Sequence, residues 1–384
     1  MEKIIVDFVR SHYGSNEFIP LHAPAFVGKE RDYVDDTIRS TFVSSVGAYV
    51  DRFERDIERF TGSERAVATV NGTSALHVAL RLCGVQQGDL VITQPLTFVA
   101  TCNAIKYAGA DPLFVDVDRD TMGLSPAAVQ AWLSENATLD AGGNCVCKAT
   151  GRRISACMPM HTFGHPVRLE ELQEVCKRWN LALIEDAAES LGSYYRGRHT
   201  GTFGQVGTLS FNGNKVITTG GGGMILASEE IGARAKHMTT TAKVPHQYEY
   251  VHDELGFNYR LPNLNAALGC AQVEMLPAFL EEKRQLAHAY ESLLEGSGLQ
   301  FFKEAEFARS NYWLNAIICE DKHQRDHVLA STNGAGVMTR PIWQLMNRLP
   351  MYANCPKGPL DSAEWLVDRV VNLPSSVKAA VKND

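Results

Sequence analysis

Between Arg65 and Glu185 the chain repeats one pattern: a short apolar run, a turn, then a longer stretch whose apolar residues recur at helical spacing. Arg65–Val70, Asp89–Gln94, Pro112–Asp116, Arg153–Met158 and Leu181–Glu185 read as strands. Thr97–Gly109, a segment opening at Ser125-Pro126 and running through Trp132, and Arg168–Trp179 read as the intervening helices. Short apolar runs alternating with amphipathic helices imply an α/β fold with a mostly parallel sheet covered on both faces. Ligands of such sheets sit beyond the carboxyl ends of the strands, so the residues just after each apolar run are where chemistry is expected.

Outside this region, Lys29–Phe60 reads as two helices joined by a loop near Thr41–Gly47. The strand–helix alternation fades after Ile225. A polar, aromatic stretch leads to a long helical region, Asn263–Leu294, that contains Pro277 and stops at Gly296-Ser297-Gly298. A strand at Trp313–Cys319 and a helix at Asp321–Ser331 then suggest a small α/β unit. At 384 residues two domains are expected, with residues 1–255 forming an N-terminal segment and a large domain and 256–384 a small C-terminal one.

The net charge of −7 and the absence of a Lys/Arg-rich block argue against a nucleic-acid or membrane-surface binder. The N-terminus has charges among its apolar residues, and no stretch approaches the roughly 18 apolar residues of a membrane span, so the expected location is the cytoplasm. Nine scattered cysteines form no regular disulfide framework. Cys145-Val-Cys147 with Cys157 lacks the Cys-x2-Cys spacing of a metal site, and reduced structural thiols are the preferred reading.

Several strand ends carry residues with chemical potential. Asn71-Gly72-Thr73-Ser74 opens a helix, where free N–H groups and the hydroxyls of Thr73 and Ser74 suit a phosphate; an ordinary helix cap is the competing reading. Asp186 follows Leu183-Ile184-Glu185, placed to hold a pyridinium N–H or to cap the next helix. Phe98 offers a ring face for stacking, or core packing. Lys215 lies in Ser210-Phe211-Asn212-Gly213-Asn214-Lys215 ahead of Gly220–Gly223; desolvation would make its amine a nucleophile for a carbonyl, whereas a loop lysine is the plainer interpretation. Taken together, a phosphate cradle, a ring face, a ring-nitrogen partner and an amine match pyridoxal phosphate.

Asn71-Gly72-Thr73-Ser74-Ala75-Leu76, Thr97-Phe98-Val99-Ala100-Thr101, Glu185-Asp186-Ala187-Ala188-Glu189-Ser190 and the Ser210–Lys215 segment occur in the order and spacing of the DegT/DnrJ/EryC1/StrS aminotransferases, which the chain resembles from about Ile19 onward. The resemblance implies fold type I of the pyridoxal-phosphate transferases, the aspartate aminotransferase-like architecture. It also implies a homodimer acting on nucleotide-linked keto-sugars with an amino donor such as glutamate. By position, Lys215 matches the Schiff-base lysine, Asp186 the partner of the pyridine nitrogen, Thr73, Ser74 and Ser210 phosphate ligands, Phe98 the stacking aromatic, and Glu189 a group near the cofactor hydroxyl. Gly256-Phe257-Asn258-Tyr259-Arg260 resembles the segment whose asparagine reaches the neighbouring subunit's cofactor phosphate, which assigns Asn258 that contact. Related sugar 3-dehydratases carry histidine at the lysine position; Lys215 favours transamination.

Thr339-Arg340-Pro341-Ile342-Trp343 and Pro20-Leu21-His22-Ala23-Pro24 resemble the branch that aminates C4 of UDP- or GDP-linked 4-keto-6-deoxy sugars. Arg340 would bind a diphosphate or simply precede the Pro341 turn. His161, beyond another strand, would touch sugar hydroxyls or serve the structure. Alternatives are amination of C3 or of a cyclitol, and a non-catalytic pyridoxal-phosphate-binding regulator, though no DNA-reading segment is evident. A nucleotide-binding oxidoreductase would need an early Gly-x-Gly-x-x-Gly, and here the glycines come late, after a lysine.

Overall fold

The computed structural model describes residues 2–381. Its centre is a seven-stranded sheet of β1 (Arg65–Thr69), β2 (Leu90–Thr93), β3 (Asp111–Phe114), β4 (Ile154–Cys157), β5 (Ala182–Asp186), β6 (Val206–Ser210) and β7 (Gly223–Ala227). The spatial order is β1-β7-β6-β5-β4-β2-β3. Only β7 runs against its neighbours, pairing antiparallel with both β1 and β6. Every residue of β2 and β4 is buried, as expected of strands covered on both faces.

Helices close both sides. Ala75, Leu76, Val78 and Ile105 pack with Val91, Ile184 and Ile225 on one face. Phe53 and Ile57 pack with Leu209, Phe211 and Met224 in another layer, which continues through Cys270, Phe279 and Trp313. Local sequence explains the helix starts. Asn71 is extended, and its Oδ1 accepts the Ser74 N–H at 2.8 Å to open Gly72–Leu82. Ser125 accepts the Ala128 N–H, with Pro126 in the first turn of Pro126–Asn136.

The pair of helices expected between residues 29 and 60 is present as Glu30–Arg39 and Ala48–Thr61. The helix Asn263–Leu294 runs its full expected length with Pro277 inside. Beyond it, β8 (Gln300–Phe301), β9 (Asn315–Ile318), β10 (Arg340–Pro341) and β11 (Val370–Leu373) form an antiparallel sheet in the order β8-β9-β11-β10. The first helix, Glu2–Tyr13, does not pack on the central sheet. Its Ile5, Val9 and Tyr13 share a core with Leu286, Tyr290, Ile317 and Val371, and the Tyr13 hydroxyl donates to the Ser376 carbonyl at 2.9 Å.

Glu185, fully buried on β5, ties the loop before β6 to the sheet. Its carboxylate accepts the N–H groups of Gly201, Phe203 and Gly204 at 2.6–2.7 Å and faces His161 Nε2 at 3.0 Å. That loop crosses so close to β6 that a Cβ on Gly207 would lie 2.0 Å from the Gly201 carbonyl oxygen. Gly207→Ala is therefore expected to lower the unfolding free energy by roughly 1–3 kcal/mol, the range for overpacking a filled interior. Urea denaturation measures it, and an unchanged midpoint would mean that the 199–204 loop yields freely.

Candidate active site

The register of the sheet assembles the site. Because β7 is antiparallel, its first residue, Gly223, pairs with the last residue of β1, Thr69, and with the last residue of β6, Ser210. The turn after β1 then folds over this point: a Cβ on Gly223 would meet the Asn71 carbonyl oxygen at 2.5 Å, and one on Gly72 would meet the Ser210 Cβ at 2.9 Å. Of the late glycines, Gly223 thus serves backbone approach, and none of Gly220–Gly223 lines the cavity.

That cavity, of about 350 Å³, lies beyond the carboxyl ends of β1, β5 and β6. Wider grooves occur elsewhere on the surface, but this one collects the strand-end residues. Thr73, Phe98, Asp186, Glu189, Ser210 and Lys215 all line it. At one end are the first two N–H groups of the helix Gly72–Leu82 and the hydroxyls of Thr73 and Ser210, none with a hydrogen-bond partner among the described residues. A helix N-terminus of this kind attracts an anion. Ser74 is buried off the wall, with its N–H taken by the Asn71 cap, so the sequence reading that gave Ser74 the same part as Thr73 is not matched by its position.

Two carboxyl groups lie deeper. Asp186, 3% exposed, accepts the Thr101 hydroxyl at 2.7 Å and the Ala188 N–H at 3.2 Å. Burial raises its carboxyl above the ordinary range, while the Thr101 bond, the Ala188 N–H and the Lys215 charge pull it back. Glu189 accepts the Phe163 N–H at 2.9 Å and stands 3.3 Å from Lys215 Nζ. Burial pushes it up to about 7 despite the lysine's charge. Lys215 itself sits in a turn closed by its N–H to the Asn212 carbonyl at 3.0 Å, and its side chain is only 13% exposed.

Aromatic side chains make the remaining wall. Phe98 is 49% exposed at the start of the helix Val99–Tyr107, with its ring centre 6.4 Å from that of Trp343. Trp313 places its indole 3.9 Å from Lys215 Nζ and donates Nε1–H to the Asn214 carbonyl at 2.6 Å. The sequence reading assigned no site role to Thr101, Trp313 or Trp343. Thr101 and Trp343 lie within noted motifs, but Trp313 appeared only as the start of an apolar run.

Three further expected residues lie outside the cavity. His161 is fully buried, facing Glu185 and accepting the Val167 N–H at 3.3 Å, off the cavity wall; its ring braces the sheet, the second of its two readings. Asn258 is bonded through Oδ1 to the Arg260 guanidinium at 2.8 and 3.0 Å, away from its own chain's cavity. Arg340 is exposed on the edge strand β10, three residues before Trp343, with no ion pair among the described residues.

The sequence pattern of the DegT/DnrJ/EryC1/StrS aminotransferase family matches residues 25–383. The chain belongs to that family. Among curated relatives it is 36% identical over 361 residues to the GDP-perosamine synthase of Escherichia coli O157:H7, covering 94% of this chain and 93% of that one. It is 34% identical over 360 residues to the GDP-perosamine synthase of Vibrio cholerae, covering 93% of this chain and 94% of that one. Among solved structures it superposes on the aminotransferase TlmJ of Streptoalloteichus hindustanus with a TM-score of 0.83 at 26% identity, covering 93% of each chain. The protein is a pyridoxal-phosphate-dependent aminotransferase of the fold type I class. Its cavity suits the cofactor chemically: an anion cradle, a buried carboxylate, an aromatic face and an amine line one enclosed space.

Glu189 gives a pH prediction for the cofactor-free chain. Its folded-state value is about 7 against an ordinary 4.5, so between those limits the folded chain holds a proton that the unfolded chain has lost. Its contribution to stability therefore weakens as pH rises through that window. Glu189→Gln, which keeps an acceptor for the Phe163 N–H, removes this dependence. The variant should gain roughly 1–3 kcal/mol on the wild type between pH 5 and pH 8 in paired urea denaturations. A difference between the two proteins that is the same at both pH values would contradict the assignment.

Proposed function

We propose that this enzyme moves an amino group from glutamate to C4 of a nucleotide-linked 4-keto-6-deoxy sugar, for a bacterial surface glycan or nonulosonic acid. The observation that carries the chemistry is the buried contact of Lys215 Nζ with Glu189, in the same cavity as Asp186. The observation favouring the sugar is the full-length likeness to two GDP-perosamine synthases.

In this reading Thr73, Ser210 and the helix start at Gly72 would hold the cofactor phosphate, Asp186 would serve the ring nitrogen, and Phe98 would offer its face to the ring. When bound, pyridoxal phosphate supplies a carbonyl to carry the amino group and a ring to take up electrons. The chain's own residues do the rest. Asp186 is a buried carboxyl group oriented by Thr101 and Ala188, and it would keep a proton on the ring nitrogen. Lys215 would give and take the proton at the reacting carbon through Nζ. Glu189, which titrates near neutrality, exchanges a proton with that amine across 3.3 Å. Trp313, Trp343 and Leu76 line the same space with apolar surface and limit water there.

The proposed working unit is a homodimer with shared sites. Support comes from Asn258, which lies off its own chain's cavity, and from the exposed apolar residues Phe42, Val46, Tyr248, Tyr250 and Leu255. Arg340, exposed and without an ion-pair partner among the described residues, is the proposed contact for the nucleotide diphosphate.

An assay of a panel of nucleotide-linked keto-sugars with glutamate as donor tests the substrate; turnover of simple keto acids alone would overturn it. Lys215→Ala should abolish transamination and the absorbance band of the Schiff base at this lysine. Neither Lys215→Ala nor Asn258→Ala homodimers should turn over normally, yet mixing and refolding the two should restore activity, because one site of each hybrid is then intact. No recovery would place Asn258 outside the shared site. Arg340→Ala should raise KM for the nucleotide sugar about 10–100-fold, the equivalent of roughly 1.5–3 kcal/mol for charged hydrogen bonds, with kcat little changed.

A further inference from the structure

Lys283 is a lysine in the protein interior. It sits on the helix Asn263–Leu294 and is only 1% exposed. Its Nζ donates to the carbonyl oxygens of Trp313, at 3.2 Å, and Ser375, and faces His22 Nε2 at 3.0 Å. Among the described residues no carboxylate pairs with it, and burial pushes its amine down to about 7. An interior amine with no carboxylate bonded to it is costly to bury, and a leucine or methionine would fill the same space more cheaply.

What that cost accomplishes is visible one residue further on. The carbonyl held by Lys283 belongs to Trp313. The Trp313 backbone N–H is bound by Asn311 Oδ1 at 2.8 Å, and Asn311 Nδ2 in turn donates to the Glu189 and Leu191 carbonyls at 2.9 Å each. Thus the peptide groups on both sides of Trp313 are pinned. Its indole projects into the cavity, with its face 3.9 Å from Lys215 Nζ and its N–H on the Asn214 carbonyl, the residue just before Lys215. The indole therefore restrains Lys215 twice, at the backbone of its turn and at its amine.

We propose that Lys283 is a positioning residue for Lys215, acting through Trp313. It does not itself line the cavity; it holds the backbone of Trp313, which sets the indole, and the indole sets the direction of the amine. The inference rests on Lys215 as the amine that reacts with the cofactor.

The test uses the purified full chain, stripped of cofactor, mixed with pyridoxal phosphate and reduced with borohydride at timed intervals. The labelled lysine is located by peptide mapping. Labelling of wild-type protein away from Lys215 would remove the premise; labelling at Lys215 establishes it and leaves the positioning role to the variants. Lys283→Met, which keeps the stem's volume, should slow labelling at Lys215 by about tenfold, since small misplacements of a reacting group carry costs of this size. Trp313→Leu should slow it at least as much, and Trp313→Phe, which retains a ring face but not the N–H, should fall between. A purely structural lysine would lower the thermal midpoint and leave that rate alone. A Lys283→Met protein labelled at the wild-type rate, whatever its midpoint, overturns the proposal. If that variant does not fold, Trp313→Leu labelled at the wild-type rate overturns the proposal, and Lys283→Gln, which keeps N–H donors for the two carbonyls, should label faster than Lys283→Met.

Discussion

The strand Gly223–Ala227 runs against both of its neighbours, and the location of Lys215 follows from that reversal. The strand before it ends at Ser210 at the carboxyl edge of the sheet. A parallel successor would require a crossover carrying the chain to the opposite edge, leaving residues 211–222 far from the other strand ends. An antiparallel successor begins where its predecessor stopped. The connecting segment therefore stays at the mouth of the sheet, and Lys215 stays with it, facing Asp186 and Glu189 on the chain that leaves the adjacent strand. The same reversal wedges Gly223 between Thr69 and Ser210, and only backbone fits there.

Holding two carboxyl groups and an amine in one sheltered space sets opposing demands. Burial disfavours each charge by itself, and proximity of opposite charges restores part of the loss. Asp186 is further offset by two hydrogen bonds, from a hydroxyl and a backbone N–H, which oppose the rise that burial imposes on its carboxyl. Glu189 has one N–H and the lysine, and it settles near neutrality. The two carboxyl groups, three positions apart in the sequence, are thus held under different balances of burial and hydrogen bonding.

Much of this was legible in the sequence where contacts are local. The strands came from apolar runs, and the long helix Asn263–Leu294 from periodicity and a Gly-Ser-Gly stop. Thr73, Asp186 and Lys215 stood out because each follows an apolar run, and strand ends are where such folds place ligands. The reversed strand was harder to see: a strand whose first residue ends a run of four glycines looks like the tail of a loop. Assignments that depended on neighbours distant in the chain were also hidden. Asn71 rather than Ser74 supplies the cap, His161 spends its ring on Glu185, and Trp313 reaches a lysine in another part of the sequence. No periodicity encodes those meetings.

The first helix has its partners at the other end of the chain. Ile5, Val9 and Tyr13 find their core among Leu286, Tyr290, Ile317 and Val371, and the Tyr13 hydroxyl waits for the carbonyl of Ser376. During synthesis the strands of the central sheet, complete by Ala227, emerge long before that core exists, so the helix Glu2–Tyr13 spends most of translation with its apolar stripe uncovered. Closing it is a contact of very long sequence separation, paid for only once the last strand has formed. A chain that stalls or is cut short of residue 370 leaves an apolar helix at its start as well as an unfinished sheet at its end, and quality control can meet both.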